Sequence, residues 1–321
     1  SIKINFSLMV NVLLVGNGIH VNKRVLPALQ KIKNINSVSI FDRNMDKGIK
    51  INETVEALPY QQLHNIKNDY DLAIIATPPY NHIPSYEIIK NSCNKILIEK
   101  PITHNHDELT SKSVQEDINK NKLIESLMYF HHPVWKEVKR LISTKNIVKI
   151  ITEFSVPHLT KNSYRYIPSK GGGSLLDQGV YPLSLLSIII KNTYKILDME
   201  INTESGYEVD LSGKLSIKID NTIDFDAKWG LGKEYKNFLM LKDDEGYVYE
   251  VNFFYSKPDL TNTRIVVSKD KSIRNIEVGI YDQFEIMYTD ALNENLSKFE
   301  YSNLENLFLR YSLFKRITEN I

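Results

Sequence analysis

A glycine-rich segment at residues 171–182, GGGSLLDQGVYP, carries the residues of this chain best suited to chemistry. Ser174 is placed to cap a helix, and Asp177 and Tyr181, four residues apart, share one face of it. A carboxylate and a phenol both exchange protons. A glycine, a proline and a carboxylate together are unfavourable in a core helix, and Pro182 is expected to kink it just after Tyr181. The segment therefore favours a functional helix.

A second candidate site lies near the N-terminus, where Gly16-Asn17-Gly18 follows the apolar run VNVLLV and precedes a helical segment. Glycines there let the backbone approach a pyrophosphate, and the helix N-terminus favours an anion. Asp42 ends the next predicted strand and can bind the ribose hydroxyls of NAD, or be a turn residue only. Arg43 beside it can pair with the 2′-phosphate of NADP. We predict NAD or NADP as cofactor, with NAD favoured.

The first third of the chain alternates short apolar strands with helical segments, which predicts a parallel sheet covered on both faces. Because ligands bind beyond the carboxyl ends of such strands, Lys100, directly after the fourth strand, is expected to face the cofactor; the alternative is a solvated loop lysine. The predicted strands are Val10–Gly16, Val38–Asp42, Asp71–Thr77, Lys95–Glu99 and Leu123–Phe130, and the predicted helices are Val21–Ile32, Ile83–Asn91 and Asn105–Asn119.

The pattern changes after about Phe130, where strands with alternating apolar and polar residues predict a sheet with one buried and one solvated face. Turns are predicted at Asp220-Asn221 and Asp243–Gly246. Helices are predicted over Pro133–Ser143, from Ser174, over Tyr281–Leu292 and over Leu304–Asn320, with a strand over Lys149–Val156. We predict an α/β protein with an N-terminal doubly wound Rossmann domain, residues 1–125, and a C-terminal α/β domain, residues 126–321.

Composition argues against several classes of protein. A net charge of +1 gives no electrostatic case for a nucleic-acid partner, and apolar runs such as Leu183–Ile190 are too short to span a membrane. Cys93 is the only cysteine, which favours a reducing compartment, and no Cys/His cluster has zinc spacing, so no metal is expected. We predict a cytoplasmic protein, with Met9 a candidate start and residues 1–8 an added leader.

The order of G-x-G, A-T-P-P, E-K-P and GGGSLLDQGVY resembles the glucose–fructose oxidoreductase and inositol dehydrogenase family (Gfo/Idh/MocA), from about Val10 to the C-terminus. The resemblance implies a C-terminal domain built on a mostly antiparallel open sheet. It also implies that Lys100 is the active-site lysine, Asp177 its hydrogen-bonding neighbour and Tyr181 the acid or base. It further implies a cis peptide bond before Pro101. The cofactor contacts it implies, besides the residues named above, are Thr77, Pro78 and Glu99.

Tyrosine at position 181 is similar to the branch of the family that includes nucleotide-sugar ketoreductases. Val21 departs from the family by replacing a third small residue, and the stretch to Leu26–Leu29 is one residue longer than usual, so pyrophosphate contacts beyond Gly18 stay open. Arg165, just before the glycine loop, is expected to clamp a substrate phosphate or to be a solvated loop residue. His131 is expected to face the substrate or to pack at the domain junction.

The predicted function is hydride transfer between the nicotinamide and a carbonyl or hydroxyl carbon of a sugar, including a nucleotide-linked keto-sugar. Two alternatives stay open, a redox-neutral glycosidase that holds NAD and a non-catalytic dinucleotide sensor. A homo-dimer or homo-tetramer is expected because relatives associate through the open sheet. The stripe that would contribute to it, or alternatively belong to the core, is Tyr247, Tyr249, Val251, Phe253 and Tyr255.

Overall fold

The computed structural model describes residues 9–45, 48–51, 53–66 and 69–319, so the candidate leader, residues 1–8, lies outside the described residues. The chain forms two compact units. The first runs to Ser126 and also takes up Phe284–Glu300, while the second comprises Leu127–Gln283 and the chain from Tyr301 onward. The division differs from the predicted one in that the segment Phe284–Glu300 returns to the first unit.

The first unit is built on a seven-stranded sheet with the order β3-β4-β2-β1-β5-β6-β7. The strands are β1 (Val10–Val15), β2 (Ile35–Asp42), β3 (Ile49–Lys50), β4 (Val55–Pro59), β5 (Tyr70–Ile75), β6 (Cys93–Glu99) and β7 (Leu123–Ser126). All neighbours are parallel except β3 and β4. The consecutive apolar residues of the central strands are buried, which confirms the predicted doubly wound sheet.

The helices of the first unit are α1 (Leu26–Leu29), α2 (His82–Ile89), α3 (His106–Leu109) and α4 (Lys112–Asn119). The single helix predicted over Asn105–Asn119 is wrong, because α3 ends before Thr110 and α4 begins at Lys112. The predicted fifth strand ends earlier than expected, since Met128–His131 forms a 3-10 turn.

The second unit is built on an eight-stranded sheet with the order β15-β14-β13-β12-β8-β11-β10-β9. The strands are β8 (Ile147–Val156), β9 (Tyr194–Thr203), β10 (Asp210–Ile219), β11 (Ile223–Leu231), β12 (Lys236–Asp243), β13 (Val248–Asn252), β14 (Asn262–Lys269) and β15 (Ser272–Ile280). The pair β8–β11 is parallel and the other pairs are antiparallel, which confirms the mostly antiparallel sheet.

The remaining helices are α5 (Pro133–Thr144), α6 (Val180–Ile189), α7 (Gln283–Leu292) and α8 (Leu304–Thr318). Along β10 every second residue is buried and the residues between them are half-buried, so one face of the sheet is covered, as predicted. Asp220 and Asn221 have φ of 47° and 56°, the backbone of a tight hairpin turn between β10 and β11. No helix in the described part of the chain is long and apolar enough to cross a membrane.

The aromatic stripe predicted for an oligomer contact belongs to the core. Tyr249, Val251 and Tyr255 are at most 3% exposed. Phe253 has a φ of 54°, which ends the strand alternation, and its side chain is exposed while Phe254 is buried instead. Tyr249, Val251 and Tyr255 are therefore not available for the contact between subunits that the sequence suggested.

Candidate active site

The Gly16-Asn17-Gly18 turn has the backbone geometry of a dinucleotide-binding turn. Gly16 has a φ of 102°, and a Cβ there would lie 3.0 Å from the Ala76 carbonyl oxygen, so no larger residue fits. A Cβ on Gly18 would meet no heavy atom within 4 Å, so packing within the protein does not explain this glycine. The Asp42 carboxylate accepts a hydrogen bond from the Asn17 backbone N–H at 2.8 Å and thereby fixes the turn.

The extra residue after this turn is absorbed by a change of helix type. Residues Val21–Val25 form a π-helical turn, which leads directly into α1. A π-turn holds one residue more than an α-turn, which explains why the segment is longer than the family pattern. Val21, in the place of the third glycine, is fully buried and packs within the unit.

Asp42 and Arg43 lie together at the end of β2. Both carboxylate oxygens of Asp42 accept backbone hydrogen bonds, one from Asn17 and one from Asn44. Asp42 therefore fixes both the glycine turn and the start of the loop after β2. Arg43 is exposed and donates to the Tyr80 hydroxyl over 3.4 Å. The side chain of Asp42 thus has a structural role whether or not it also binds a ribose.

The loops after β5 and β6 carry the other predicted cofactor residues. Thr77 has a buried hydroxyl with no hydrogen-bond partner among the described residues, and Pro78 follows it. At the end of β6, the Glu99 carboxylate lies 3.2 Å from His20 Nε2. Burial raises the pKa of Glu99, but His20 and Lys100 together bring it below its ordinary value. The peptide bond between Lys100 and Pro101 is cis, as predicted.

In the second unit, the glycine loop is shaped by an aspartate that sequence reasoning missed. Asp210, the first residue of β10, accepts hydrogen bonds from the Ser174 hydroxyl at 2.5 Å and from the Leu175 backbone N–H at 2.7 Å. Gly173 has a φ of 112°, and any Cβ there would collide with the Asp210 carboxylate. The predicted capping by Ser174 is wrong, because its hydroxyl donates to Asp210 instead of accepting from the helix.

The helix that carries Asp177 and Tyr181 begins with a second π-turn. Residues Leu175–Gly179 are π-helical, and α6 follows without interruption from Val180. Pro182 is the third residue of α6, which continues through it to Ile189, and the predicted kink after Tyr181 stays a prediction. Gly179 is required because a Cβ there would lie 3.2 Å from the indole of Trp229.

Asp177 forms an ion pair with Arg165 within this unit. The Arg165 Nε donates to an Asp177 carboxylate oxygen at 2.6 Å, and the guanidinium lies 4.7 Å from the centre of the Tyr164 ring. Burial opposes the charge of Arg165, but the Asp177 carboxylate raises its pKa above the ordinary value. Arg165 is therefore not an idle loop residue. The predicted hydrogen bond between Asp177 and Lys100 joins the two units and stays a prediction.

This ion pair has a measurable contribution to stability. Asp177→Asn is expected to lower the free energy of unfolding by about 2–3 kcal/mol, because it leaves a largely buried guanidinium without its carboxylate. The partial exposure of Arg165 keeps the loss below the about 3–5 kcal/mol that breaking a fully buried pair costs. Urea unfolding followed by circular dichroism measures it. Asp198→Asn, which removes an exposed partner of Lys214, is the matched control and should leave the unfolding midpoint unchanged. An unchanged midpoint in Asp177→Asn would contradict the structural role.

Tyr181 lies in α6 with its ring held by aromatic neighbours. The side chain is 5% exposed, and its ring centre lies 4.8 Å from that of Phe154, 5.5 Å from that of Tyr255 and 6.1 Å from that of Tyr129. Its hydroxyl lies 3.9 Å from Met128 Sδ. Packing against these rings thus holds the phenol in one orientation, as an acid that acts at a fixed atom requires.

The two histidines before α5 have different environments. His131 is buried, with Nε2 3.1 Å from the Tyr301 hydroxyl, and its contact with a substrate stays a prediction. His132 caps α5, since its Nδ1 accepts from the Val134 backbone N–H. Burial, together with nearby Lys257, lowers the pKa of His132 to about 3, so this ring is neutral at physiological pH.

Comparison with known proteins agrees with this geometry. Residues 10–127 match the model of the Gfo/Idh/MocA oxidoreductase family with its NAD-binding Rossmann fold. A dTDP-3,4-didehydro-2,6-dideoxy-alpha-D-glucose 3-reductase from Actinomadura kijaniata is 20% identical over 267 residues, 82% of this chain and 80% of that protein. The corresponding reductase from Streptomyces antibioticus is 21% identical and matches 84% of this chain and 83% of its own.

The match to the Gfo/Idh/MocA oxidoreductases thus covers the whole of the first sheet, from β1 to β7.

Solved structures show the same fold over nearly the whole chain. A 3-ketoreductase from Actinomadura kijaniata, crystallised with NADP and TDP-benzene, superposes with a TM-score of 0.82 at 19% identity and 94% coverage of both chains. An aldose-aldose oxidoreductase from Caulobacter crescentus superposes with a TM-score of 0.79 at 14% identity, over 97% of this chain and 98% of that one. The fold predicted from the family motifs is therefore confirmed in both units.

The first unit of this protein fits a nicotinamide dinucleotide. Gly16 and Gly18 give the backbone approach that a pyrophosphate needs, and Gly18 is exposed with open space beside it. The Thr77 hydroxyl is buried and without a partner among the described residues, at the carboxyl edge of the sheet where such cofactors bind. Among the described residues, no group of three or more His, Cys, Asp or Glu side chains is placed to hold a metal ion.

Proposed function

We propose that this protein uses NADH or NADPH to reduce a ketone of a nucleotide-linked sugar. The use of a nicotinamide cofactor is inferred from the glycine turn at residues 16–18. There the Asp42 carboxylate holds the Asn17 backbone, and Gly18 leaves space for a dinucleotide. The relatives that match most of the chain are named as reductases of dTDP-linked keto-sugars, which supports the substrate class. The family and the site together favour this function over a glycosidase or a sensor.

Each of the proposed catalytic residues has one task. When bound, the reduced nicotinamide supplies the hydride. Tyr181, held by its aromatic neighbours, donates a proton to the oxygen of the ketone as it becomes an alkoxide. Lys100, at the end of β6, stabilises the negative charge of that oxygen and favours the ionised form of the tyrosine after transfer. Asp177 orients Arg165 and, in our proposal, also Lys100.

Arg165 is the proposed contact to the phosphate of the substrate. Its Nε is occupied by Asp177, whereas neither Nη group donates to another of the described residues. The side chain is 30% exposed, so those two groups are reachable from solvent. An arginine held by one edge and open at the other suits bidentate binding of a phosphate.

The function is tested by incubating the purified protein with NADH or NADPH and a panel of sugars. The panel contains dTDP-linked keto-sugars, the same keto-sugars without the nucleotide, and dTDP-linked sugars without a ketone. We expect oxidation of the cofactor in step with formation of the alcohol, and only with the first group at low substrate concentration. Release of free sugar without net oxidation of the cofactor would identify a glycosidase, and cofactor binding without any turnover would identify a sensor.

The preference between NAD and NADP depends on Asp42 and Arg43. We propose that the Asp42 carboxylate accepts from the ribose hydroxyls and repels a 2′-phosphate, so the parent protein binds NADH more tightly than NADPH. Asp42→Ser should raise the affinity for NADPH relative to NADH, with Arg43 as the phosphate partner, and the added Arg43→Ala should abolish that gain. Fluorescence titration with both cofactors measures the ratio. Tighter binding of NADPH than of NADH by the parent would overturn the preference.

The cellular location and the assembly stay predictions. We propose a cytoplasmic protein because Cys93 is the only cysteine in the sequence. We also propose a homo-dimer or homo-tetramer, formed through the open face of the second sheet and not through the stripe that ends at Tyr255. The half-buried apolar residues Ile151 and Met240 lie opposite each other on that face, between strands β8 and β12.

A further inference from the structure

His82, the first residue of α2, has both ring nitrogens against carbonyl oxygens. Its Nε2 lies 2.7 Å from the carbonyl oxygen of Thr77, and its Nδ1 lies 2.8 Å from that of Pro101. The side chain is 1% exposed. Thr77 follows β5, and Pro101 follows Lys100 at the end of β6. A single imidazole therefore spans two neighbouring loops at the carboxyl edge of the sheet.

The two contacts constrain the protonation of the His82 ring. A carbonyl oxygen only accepts hydrogen bonds, and a neutral imidazole has only one N–H, so both contacts are hydrogen bonds only in the imidazolium form. Burial is the largest influence and lowers the pKa of His82, whereas the two carbonyls and Glu99 raise it. On balance the pKa of His82 lies below its ordinary value, so at neutral pH the ring has one N–H and donates it to one of the two carbonyls.

A counterion for the protonated form of the His82 ring lies nearby. Glu99, at the end of β6, is the charged residue that acts on His82 in the described structure. Its own pKa is raised by burial, but His20, Lys100 and His82 bring it below the ordinary value, so it is ionised. Glu99 therefore stabilises the imidazolium form when the ring takes up a proton in acid, while burial opposes that charge.

The Lys100 loop is also held from its other side. Glu125, a fully buried residue of β7, accepts a hydrogen bond from the Ile102 backbone N–H at 2.9 Å. Two side chains thus fix the backbone just after Lys100, namely His82 of α2 and Glu125 of β7. Of these two contacts, only that of His82 also reaches the Thr77 loop.

We propose that His82 is a positioning residue, whose buried ring fixes the spacing between the Thr77 loop and the Lys100 loop. It would preorganise the pocket for the nicotinamide end of the cofactor and keep the Lys100 backbone in register. The proposal rests on the proposed function for the role of Lys100, but the link between the loops is independent of any sugar substrate. His82 touches no reacting atom and acts through Thr77 and Lys100.

The first test replaces the ring. His82→Gln has no second ring nitrogen, so it cannot reach both carbonyls, and we expect weaker NAD(P)H binding and a kcat lower by about 10–10²-fold, the effect of a small misplacement of a catalytic group. KM for the sugar should change little. His64→Gln, at an exposed histidine of the same unit, is the matched control. A His82→Gln variant with the parent's cofactor affinity and kcat would overturn the proposal.

The second test needs no variant, so it holds even if His82→Gln fails to fold. NMR of the histidine rings in the parent protein should show a His82 N–H that is hydrogen-bonded and protected from exchange with water at neutral pH. A His82 N–H that exchanges as fast as that of the exposed His64 would overturn the proposal. This readout does not use sugar turnover, so a failure of the proposed substrate class leaves this result standing.

Discussion

Replacing Tyr181 by phenylalanine is expected to lower kcat by about 10²–10⁴-fold, the usual contribution of a general acid. This corresponds to about 3–5 kcal/mol of barrier. The ring keeps its contacts with Phe154 and Tyr255, so the fold should survive. Cofactor affinity should survive too, because the Gly16–Gly18 turn lies in the other unit. Single-turnover and steady-state rates with saturating cofactor measure the loss.

Tyr249→Phe is the matched control for this variant. It removes a buried hydroxyl that donates to Asp243, also in the second unit, and should leave kcat unchanged. If Tyr181→Phe turns over within a few-fold of the parent, another group supplies the proton. His132 is a poor substitute because its low pKa leaves no proton to give at neutral pH, which would leave His131 or a water molecule.

Lys100→Met should give a loss comparable to that of Tyr181→Phe, because methionine keeps the length of the side chain and removes the charge that stabilises the alkoxide. The double variant should lose less than the product of the two single losses, since both groups act on one oxygen in our proposal. Lys120→Met, at an exposed position of the same unit, is the control. Losses that multiply in the double variant would show that the two residues act independently.

Features that depend on neighbouring residues in the chain could be predicted from the sequence. The strands of the first sheet were found because buried parallel strands are short and continuously apolar, and the Gly16 turn because a positive φ needs glycine. β4 was not predicted, because it is only five residues long and ends in Pro59. A solvated loop can have the same short sequence pattern. The hairpin at Asp220-Asn221 was found from its turn residues.

Features that depend on distant residues could not be predicted in this way. Asp210 fixes the glycine loop from the start of β10, 35 residues from Leu175, and nothing in its local sequence indicates this. The ion pair between Arg165 and Asp177 could not be predicted, because it depends on the path of the loop between them. The closeness of Arg165 to the helix in the sequence was a signal that the residue has a role. The predicted alternation of buried side chains after Tyr247 ends at Phe253, because the positive φ of that residue shifts the alternation by one position. The local sequence pattern does not indicate this shift.

The central claim is hydride transfer from the nicotinamide to the carbon of a sugar ketone, and isotope transfer tests it most directly. The parent protein is incubated with NADH or NADPH deuterated at the transferring position and a dTDP-linked keto-sugar, and the product is analysed by mass spectrometry. We predict a product alcohol that carries the deuterium at the former ketone carbon, with oxidised cofactor formed in equal amount. A product without deuterium, or free sugar formed while the cofactor stays reduced, would contradict the account.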